Sequence, residues 1–296
     1  MLQLPHLDTI VAVIEEGSFD AAARRLHVTP SAVSQRVKAM EADAGQVLVR
    51  RGSPATATEA GEVIVRYAKQ VQLLGHDLDR GLERAGAAPA LAVGVNADSL
   101  ATWFLPALAE AHRTTGVLFD ILRDDQEYTS TLLRTGAVVA AVTSERRAVQ
   151  GCTSTPLGVM RYRAVASPEF AAVHELTDLS NLERAPFVEF DRKDGLQRGF
   201  LRARLGREPV SPRHFVPTSA EFASAVLLGL GWGMLPDQQS AAGLSTGELV
   251  ELAPGHPVDV ALHWQRWNLD SALLDQLTRV VTMAAAASLE PFSATS

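Results

Sequence analysis

The first sixty residues set short apolar repeats at helical spacing between polar gaps. Leu7, Ile10, Val11, Val13 and Ile14 recur in this way and predict a helix from about Leu4 to Glu16. A second helix is predicted from Phe19 to Leu26, with Ser18 placed to cap it. Its Ala22 and Ala23 are small enough to let another helix approach closely. After a His27-Val28 turn, Thr29 is positioned as an N-cap. Pro30 then falls at the first helical position, where a missing N–H costs nothing. Val33, Val37 and Met40 face inward, which leaves Ser31, Ser34, Gln35, Arg36 and Lys38 outward. Hydroxyl, amide and guanidinium groups at the start of a second helix suit base edges and phosphates in a DNA major groove.

The stretch Gly45–Thr58 changes period. Val47 to Val49, the Gly52-Ser-Pro54 turn and the return predict a two-stranded wing, with Arg50 and Arg51 where a wing meets phosphates. Thr58-Glu-Ala-Gly61 then opens a helix of more than twenty residues. Ala60, Ile64, Tyr67, Val71, Leu74, Leu78 and Leu82 make one apolar stripe along it. Such a stripe needs a partner. A second copy of the chain is the simplest, with Ile64, Tyr67, Val71, Leu74 and Leu78 as dimer contacts; packing on the chain's own C-terminal part is the alternative. Gly86-Ala-Ala-Pro89 reads as a hinge.

Beyond residue 89 the pattern alternates short β-type runs with amphipathic helices. Leu91–Val95, Val117–Leu122 and Ala137–Val142 are predicted strands, separated by helices near Thr102–His112 and Thr129–Thr135. That is a βαβαβ unit with a mostly parallel sheet. A second set follows: strands at Tyr162–Ala166, Phe187–Phe190, His214–Val216 and Trp232–Leu235, and helices near Leu196–Leu205 and Ser219–Leu230. Val258–Trp267 is a last strand, and Leu269–Ala287 a closing helix. Two α/β lobes of this kind bind a small molecule in the cleft beyond their strand ends. Gly229-Leu-Gly-Trp-Gly233 runs from helix into strand, the wrong direction for a phosphate cradle, and is expected to be a tight turn.

The 296 residues suffice for one small and one larger domain. No apolar run reaches membrane-spanning length, and no signal peptide precedes the helices, so a cytoplasmic protein without a membrane role is expected. The single cysteine, Cys152, cannot form an intramolecular disulfide and is expected to be a plain thiol. Residues 1–57 hold six basic and six acidic side chains, so this segment is neutral and binds DNA best as a pair. The net charge of −7 therefore lies in the remainder, with 28 acids against 21 bases. An acidic C-terminal part leaves room for a cationic ligand. The eight histidines show no metal spacing, and no nucleophile–base set is recognisable, so an enzyme is not expected.

Gly17-Ser-Phe19, Ala22-Ala23, Leu26-His-Val-Thr-Pro-Ser-Ala-Val-Ser-Gln-Arg36 and Thr58-Glu-Ala-Gly61 together resemble the LysR-type transcriptional regulators, and the resemblance covers essentially the whole chain. Within that family the C-terminal half looks most like the ArgP/LysG branch, regulators of basic amino-acid export. It does so through Asn96-Ala-Asp-Ser99, Ala101-Thr-Trp103, Leu105-Pro-Ala-Leu108, Val165-Ala-Ser-Pro168, Phe190-Asp191 and Met234-Leu-Pro236. The resemblance implies an all-α winged helix-turn-helix N-terminal domain with a long linker helix. A two-lobed α/β effector domain, similar to periplasmic binding proteins, follows it. The expected boundaries are 1–57, 58–88 and 89–296, with lobe I at about 89–162 and 268–296 and lobe II at about 163–267. It further implies a homodimer or homotetramer on double-stranded DNA, RNA polymerase as a partner, and lysine or arginine as an effector that alters control of an exporter gene, with no other cofactor.

The DNA-facing candidates are Thr29, Pro30, Ser31, Ser34, Gln35, Arg36, Lys38, Arg50 and Arg51. For the effector, Ser99 can offer its hydroxyl and a helix N-terminus to a carboxylate. Asn96 and Thr143 are further polar candidates. Asp98, Asp124, Asp125, Glu127, Asp191 and Glu221 sit at predicted loop ends, where carboxylates can meet cations. Competing readings are a solute-binding protein of a transport system, a regulator of the same type with an unrelated metabolite, and an enzyme. The first cannot explain the opening 85 residues.

Overall fold

The computed structural model describes residues 3–84, 88–123 and 129–292. Three helices open the chain: α1 (Leu4–Glu16), α2 (Phe19–Arg25) and α3 (Pro30–Ala44). Ser18 Oγ accepts from Ala21 N at 3.0 Å and Thr29 Oγ1 from Ala32 N at 3.2 Å, so both expected caps form. Each cap is worth about 1 kcal/mol. A two-stranded wing follows, with β1 (Val49–Arg50) antiparallel to β2 (Thr56–Ala57). Ile10, Val13, Ala22, Val33, Val37 and Met40 form the core with Leu48 and Val49, as their spacing requires.

The linker helix α4 (Glu59–Gly81) belongs to both halves of the molecule. Thr58 Oγ1 caps it through Gly61 N at 3.1 Å. Gly61 must lack a side chain, because a Cβ there would collide with the Leu48 carbonyl oxygen. Val65 packs into the helix-turn-helix core, Ile64 and Val71 against Leu7 and Val11, and Leu73 into the core of the second domain. Arg66 Nη2 donates to Gln150 O at 3.0 Å, and Asp77 Oδ1 accepts from Leu273 N at 3.3 Å. Gly136, at φ +79°, lets the Arg66 backbone come this close. The opposite face keeps Tyr67, Leu74, Leu78 and Leu82 exposed.

The second domain begins with β3 (Ala90–Val95) and a helical path: α5 (Ala97–Ser99), a π-turn at Leu100–Phe104, and α6 (Leu105–Thr115). Then come β4 (Leu118–Arg123), α7 (Thr129–Thr135) and β5 (Ala140–Thr143), with β3 parallel to both other strands. The long β6 (Cys152–Ala166) leaves this lobe. It leads to α8 (Pro168–Val173), α9 (Leu179–Arg184), β7 (Phe187–Glu189), α10 (Leu196–Leu205), β8 (Arg213–Phe215), α11 (Ser219–Leu227), β9 (Gly233–Pro236), α12 (Asp237–Thr246) and β10 (Val250–Glu251). The chain returns on β11 (Val258–Trp267) and closes with α13 (Ala272–Ser288).

Two antiparallel strands thus carry the chain between lobes. One end of β11 pairs with β5 of the first lobe, while the far end of β6 pairs with β9 and β10 of the second. Their mutual register shifts between Leu262 and His263, opposite Pro156 and Gly158. A bulge there tolerates the proline, which has no N–H for a ladder. β3 has β4 on one side and β5 on the other, so the crevice past its carboxyl end is a topological switch point. The Gly229–Gly233 run is indeed a helix-to-strand turn, between α11 and β9.

Candidate functional site: the helix-turn-helix face and the interlobe cleft

On the N-terminal domain Thr29, Pro30, Ser31, Gln35 and Lys38 are exposed along the start of α3, and Ser34 is half-buried. Thr29 Oγ1 also lies 3.0 Å from Ser31 Oγ, which orders the two hydroxyls. Arg50 and Arg51 are exposed on the wing, with the Arg51 guanidinium 4.8 Å from the centre of the Phe19 ring. Arg36 is half-buried. Its Nη1 donates to Thr9 Oγ1 on α1 at 3.2 Å, so part of its guanidinium ties α3 to α1 and faces the protein. The acids lie elsewhere: Glu15 pairs with Arg25 at 2.8 Å and with Lys69 of α4 at 2.8 Å. Burial works to raise the Glu15 carboxyl, but the two cations outweigh it and hold it below its usual range.

The second domain contains a cavity of about 400 Å³ between its lobes. Asn96 and Asp98 of the first lobe line it, with Tyr162 of β6. Phe190, Asp191, Lys193, Asp194, Gln197 and Gln239 line it from the second. Asn96 builds its rim by capping α5, its Oδ1 accepting from Ser99 N at 2.7 Å. Asp98 joins the two lobes. Its Oδ2 accepts from Tyr162 Oη at 2.7 Å and its Oδ1 from Ser219 Oγ of α11 at 2.7 Å. Gln239 Nε2 extends this chain by donating to Ser219 Oγ at 2.9 Å. Burial, reinforced by the Asp98 charge, pushes the Tyr162 hydroxyl well above its usual range and keeps it a donor.

Asp194 and Asp191 build the loop before α10. Asp194 accepts from Phe190 N and Leu196 N, both at 3.0 Å. Asp191 Oδ1 accepts from Lys193 N at 2.7 Å and Asp194 N at 2.9 Å. Burial pushes the Asp194 carboxyl above its usual range. The two backbone N–H groups oppose that shift, while the negative Asp98 and Asp191 add to it. Asp98, Asp191 and Asp194 against the one ammonium of Lys193 leave the lining net negative, which favours a cation.

The sequence matches fall on the same two regions. Residues 4–62 match the bacterial regulatory helix-turn-helix protein, lysR family, and residues 84–286 match the LysR substrate binding domain. The chain belongs to the LysR family. Among its relatives, the lysine export transcriptional regulatory protein LysG of Corynebacterium efficiens is 45% identical over 286 residues, covering 96% of this chain and 98% of that protein. The solved structure of ArgP from Mycobacterium tuberculosis superposes with a TM-score of 0.87 at 41% identity, covering 97% of this chain and 99% of that one. Full-length LysG from Corynebacterium glutamicum with bound effector Arg gives 0.80 at 39% identity, covering 98% and 100%. These are transcriptional regulators with a DNA-binding and an effector domain.

For this LysR-family chain, Asn96, Asp98 and Asp191 are the effector candidates that the structure brings together. Ser99 is fully buried, its N–H is taken by Asn96, and it does not line the cavity. Thr143 is buried at the end of β5, where its Oγ1 accepts from Glu145 N at 3.1 Å. Glu221 is exposed on α11, held below its usual range by Thr218. Asp124, Asp125 and Glu127 lie outside the described residues, as does the centre of the expected hinge, Gly86-Ala87. Sequence reasoning missed Tyr162, Asp194, Gln197, Ser219 and Gln239. The signal available for Asp194 was its Asp-Gly step before a helix, an Asx-type cap. Cys152 is half-buried beneath Arg66, and burial pushes its thiol up, away from the reactive thiolate. Among the described residues no group of His, Cys, Asp and Glu is arranged for a metal, and no helix is long and apolar enough to cross a membrane.

Proposed function

We propose that this chain is a transcriptional regulator of the LysG/ArgP type whose effector is a basic amino acid, arginine or lysine, held in the interlobe cavity. The observation that carries the reading is the cavity's charge: Asp98 from one lobe faces Asp191 and Asp194 from the other. A ligand with a cationic side chain relieves their repulsion and draws the lobes together. The Arg-bound relative LysG of Corynebacterium glutamicum supports this class of effector. Asn96, Asp98, Asp191, Asp194 and Tyr162 form the proposed site.

On the DNA side, Thr29, Pro30, Ser31, Ser34, Gln35 and Lys38 enter a major groove, with Arg50 and Arg51 on phosphates. Tyr67, Leu74 and Leu78, exposed on α4, pair one copy with another, whereas Ile64 and Val71, expected among those contacts, pack against Leu7 and Val11 of their own chain. Each effector-bound assembly works with RNA polymerase in the cytoplasm to control an exporter of the same amino acid. The relatives named for lysine export support that target. A transport solute-binding protein would have no use for residues 4–62.

Genomic fragments selected by binding to the full chain, then footprinted with and without arginine or lysine, test this reading. The expected result is protection of a site upstream of an exporter gene, with a boundary that changes when the amino acid is added. No protected site under any effector contradicts it.

A further inference from the structure

The cavity offers more than negative charge. Gln197 is 1% exposed, lines the cavity from α10, and its Oε1 accepts no hydrogen bond. Gln239 lines it from α12, and its buried Oε1 is likewise unpartnered. The orientation of Gln239 is fixed from behind. Its Nε2 is committed to Ser219 Oγ, whose own hydrogen is committed to Asp98 Oδ1. The amide oxygen is therefore the end left without a partner.

We infer that Gln197 and Gln239 are the residues that read the effector's cationic group and set a preference for a guanidinium over an ammonium. This rests on the basic amino-acid reading above. Two carbonyl oxygens on separate helices, in a cavity that Asp98 and Asp194 also line, call for several N–H donors spread in space. A guanidinium presents five in one rigid plane, whereas an ammonium concentrates three at a point. A buried acceptor left without a donor is costly, so a ligand that reaches only one of the two binds less well.

The test is calorimetric titration of the full chain with L-arginine and with L-lysine, for the wild type and for Gln197→Met, Gln239→Met, Gln197→Glu and Gln239→Glu. Methionine keeps the length and removes the acceptor; glutamate keeps an acceptor. Thermal unfolding of each variant checks that it folds, and a variant that does not fold leaves its glutamate counterpart and the other position to decide. The wild type is expected to prefer arginine. Each Met variant should lose arginine affinity by roughly tenfold or more, with a smaller loss for lysine, and each Glu variant should retain cation binding. Met variants with the wild-type arginine-to-lysine ratio overturn the inference, as does a wild type that binds both ligands equally. A wild type that binds neither overturns the basic amino-acid reading itself.

Discussion

Asp98 Oδ1 accepts a hydrogen bond from Ser219 Oγ at 2.7 Å, joining the first helical turn of one lobe to the start of α11 in the other. The same carboxylate holds Tyr162 on the strand that crosses between lobes, so a single side chain touches both lobes and their connection. Ser219→Ala removes the bridge and frees the Gln239 amide. The expected loss is about 1.5–3 kcal/mol of stability for a partly buried bond to a charged group, read as a lower Tm in the effector-free protein. A larger loss of effector affinity than of stability is expected, because Gln239 is then no longer aimed.

Asp194 gives the proposed effector site a pH dependence. Its folded-state value lies above that of an unfolded carboxylate, because of burial and the charges of Asp98 and Asp191. The ionised group therefore costs stability, and that cost disappears as pH falls through the raised value. A bound cation favours the carboxylate and lowers its value again. Effector affinity should thus weaken as pH falls into the carboxylate range, with protons released on binding there. Calorimetry in buffers of differing ionisation enthalpy measures that release; Asp194→Asn should reduce it.

The free stripe of α4 predicts self-association. Tyr67 is 51% and Leu78 60% exposed on the side turned away from the chain's own domains. Burying a leucine side chain contributes about 1.5–3 kcal/mol, and a symmetric contact uses each position twice. Leu78→Asp should raise the dimer dissociation constant at least tenfold by sedimentation, with little change in each chain's fold, since Leu78 lies outside its cores.

Arg36 and Gln35 should separate stability from recognition. Arg36→Ala breaks the tie to Thr9 and is expected to lower stability by about 0.5–1.5 kcal/mol as well as weaken DNA binding. Gln35→Ala, at an exposed position on the same helix, should weaken binding to a specific site without changing Tm. Arg50→Ala should reduce the slope of log affinity against log salt by about one. Fluorescence anisotropy across a salt series, beside thermal unfolding, checks all three.

The N-terminal domain was legible because its determinants are local. Ser18, Thr29 and Thr58 each cap a helix three residues ahead, and the inward positions repeat at a fixed spacing. Arg36 was harder, because its partner on α1 is twenty-seven residues away. The periodicity of α4 predicts one apolar face, yet the helix has two: Val65, Ala68 and Leu73 turn toward the chain itself. In the second domain β6 starts at Cys152, ten residues before its expected beginning at Tyr162. The polar Thr153-Ser-Thr155 and Pro156 hide that first half, which the pairing with β11 then stabilises. Helix α12 was missed for a similar reason. Its sequence is mostly polar and small, and only Ser240 and Gly243 are buried on it. Because α12 carries Gln239, that acceptor could not be placed in the cleft before the fold assembled it. The carboxylates Asp98 and Asp191 were visible as loop-end acids, but their meeting across the cavity is a property of the tertiary structure.

A cationic amino acid held between Asp98 and the acids of the opposite lobe depends on the Asp98 charge. Calorimetric titration of arginine and lysine into the wild type and into Asp98→Asn tests it most directly. One site per chain is expected in the wild type and at least a tenfold loss of affinity in the variant, since a charge-assisted contact is worth roughly 1.5–3 kcal/mol. Undiminished binding in Asp98→Asn, or no binding of either amino acid to the wild type, would contradict it.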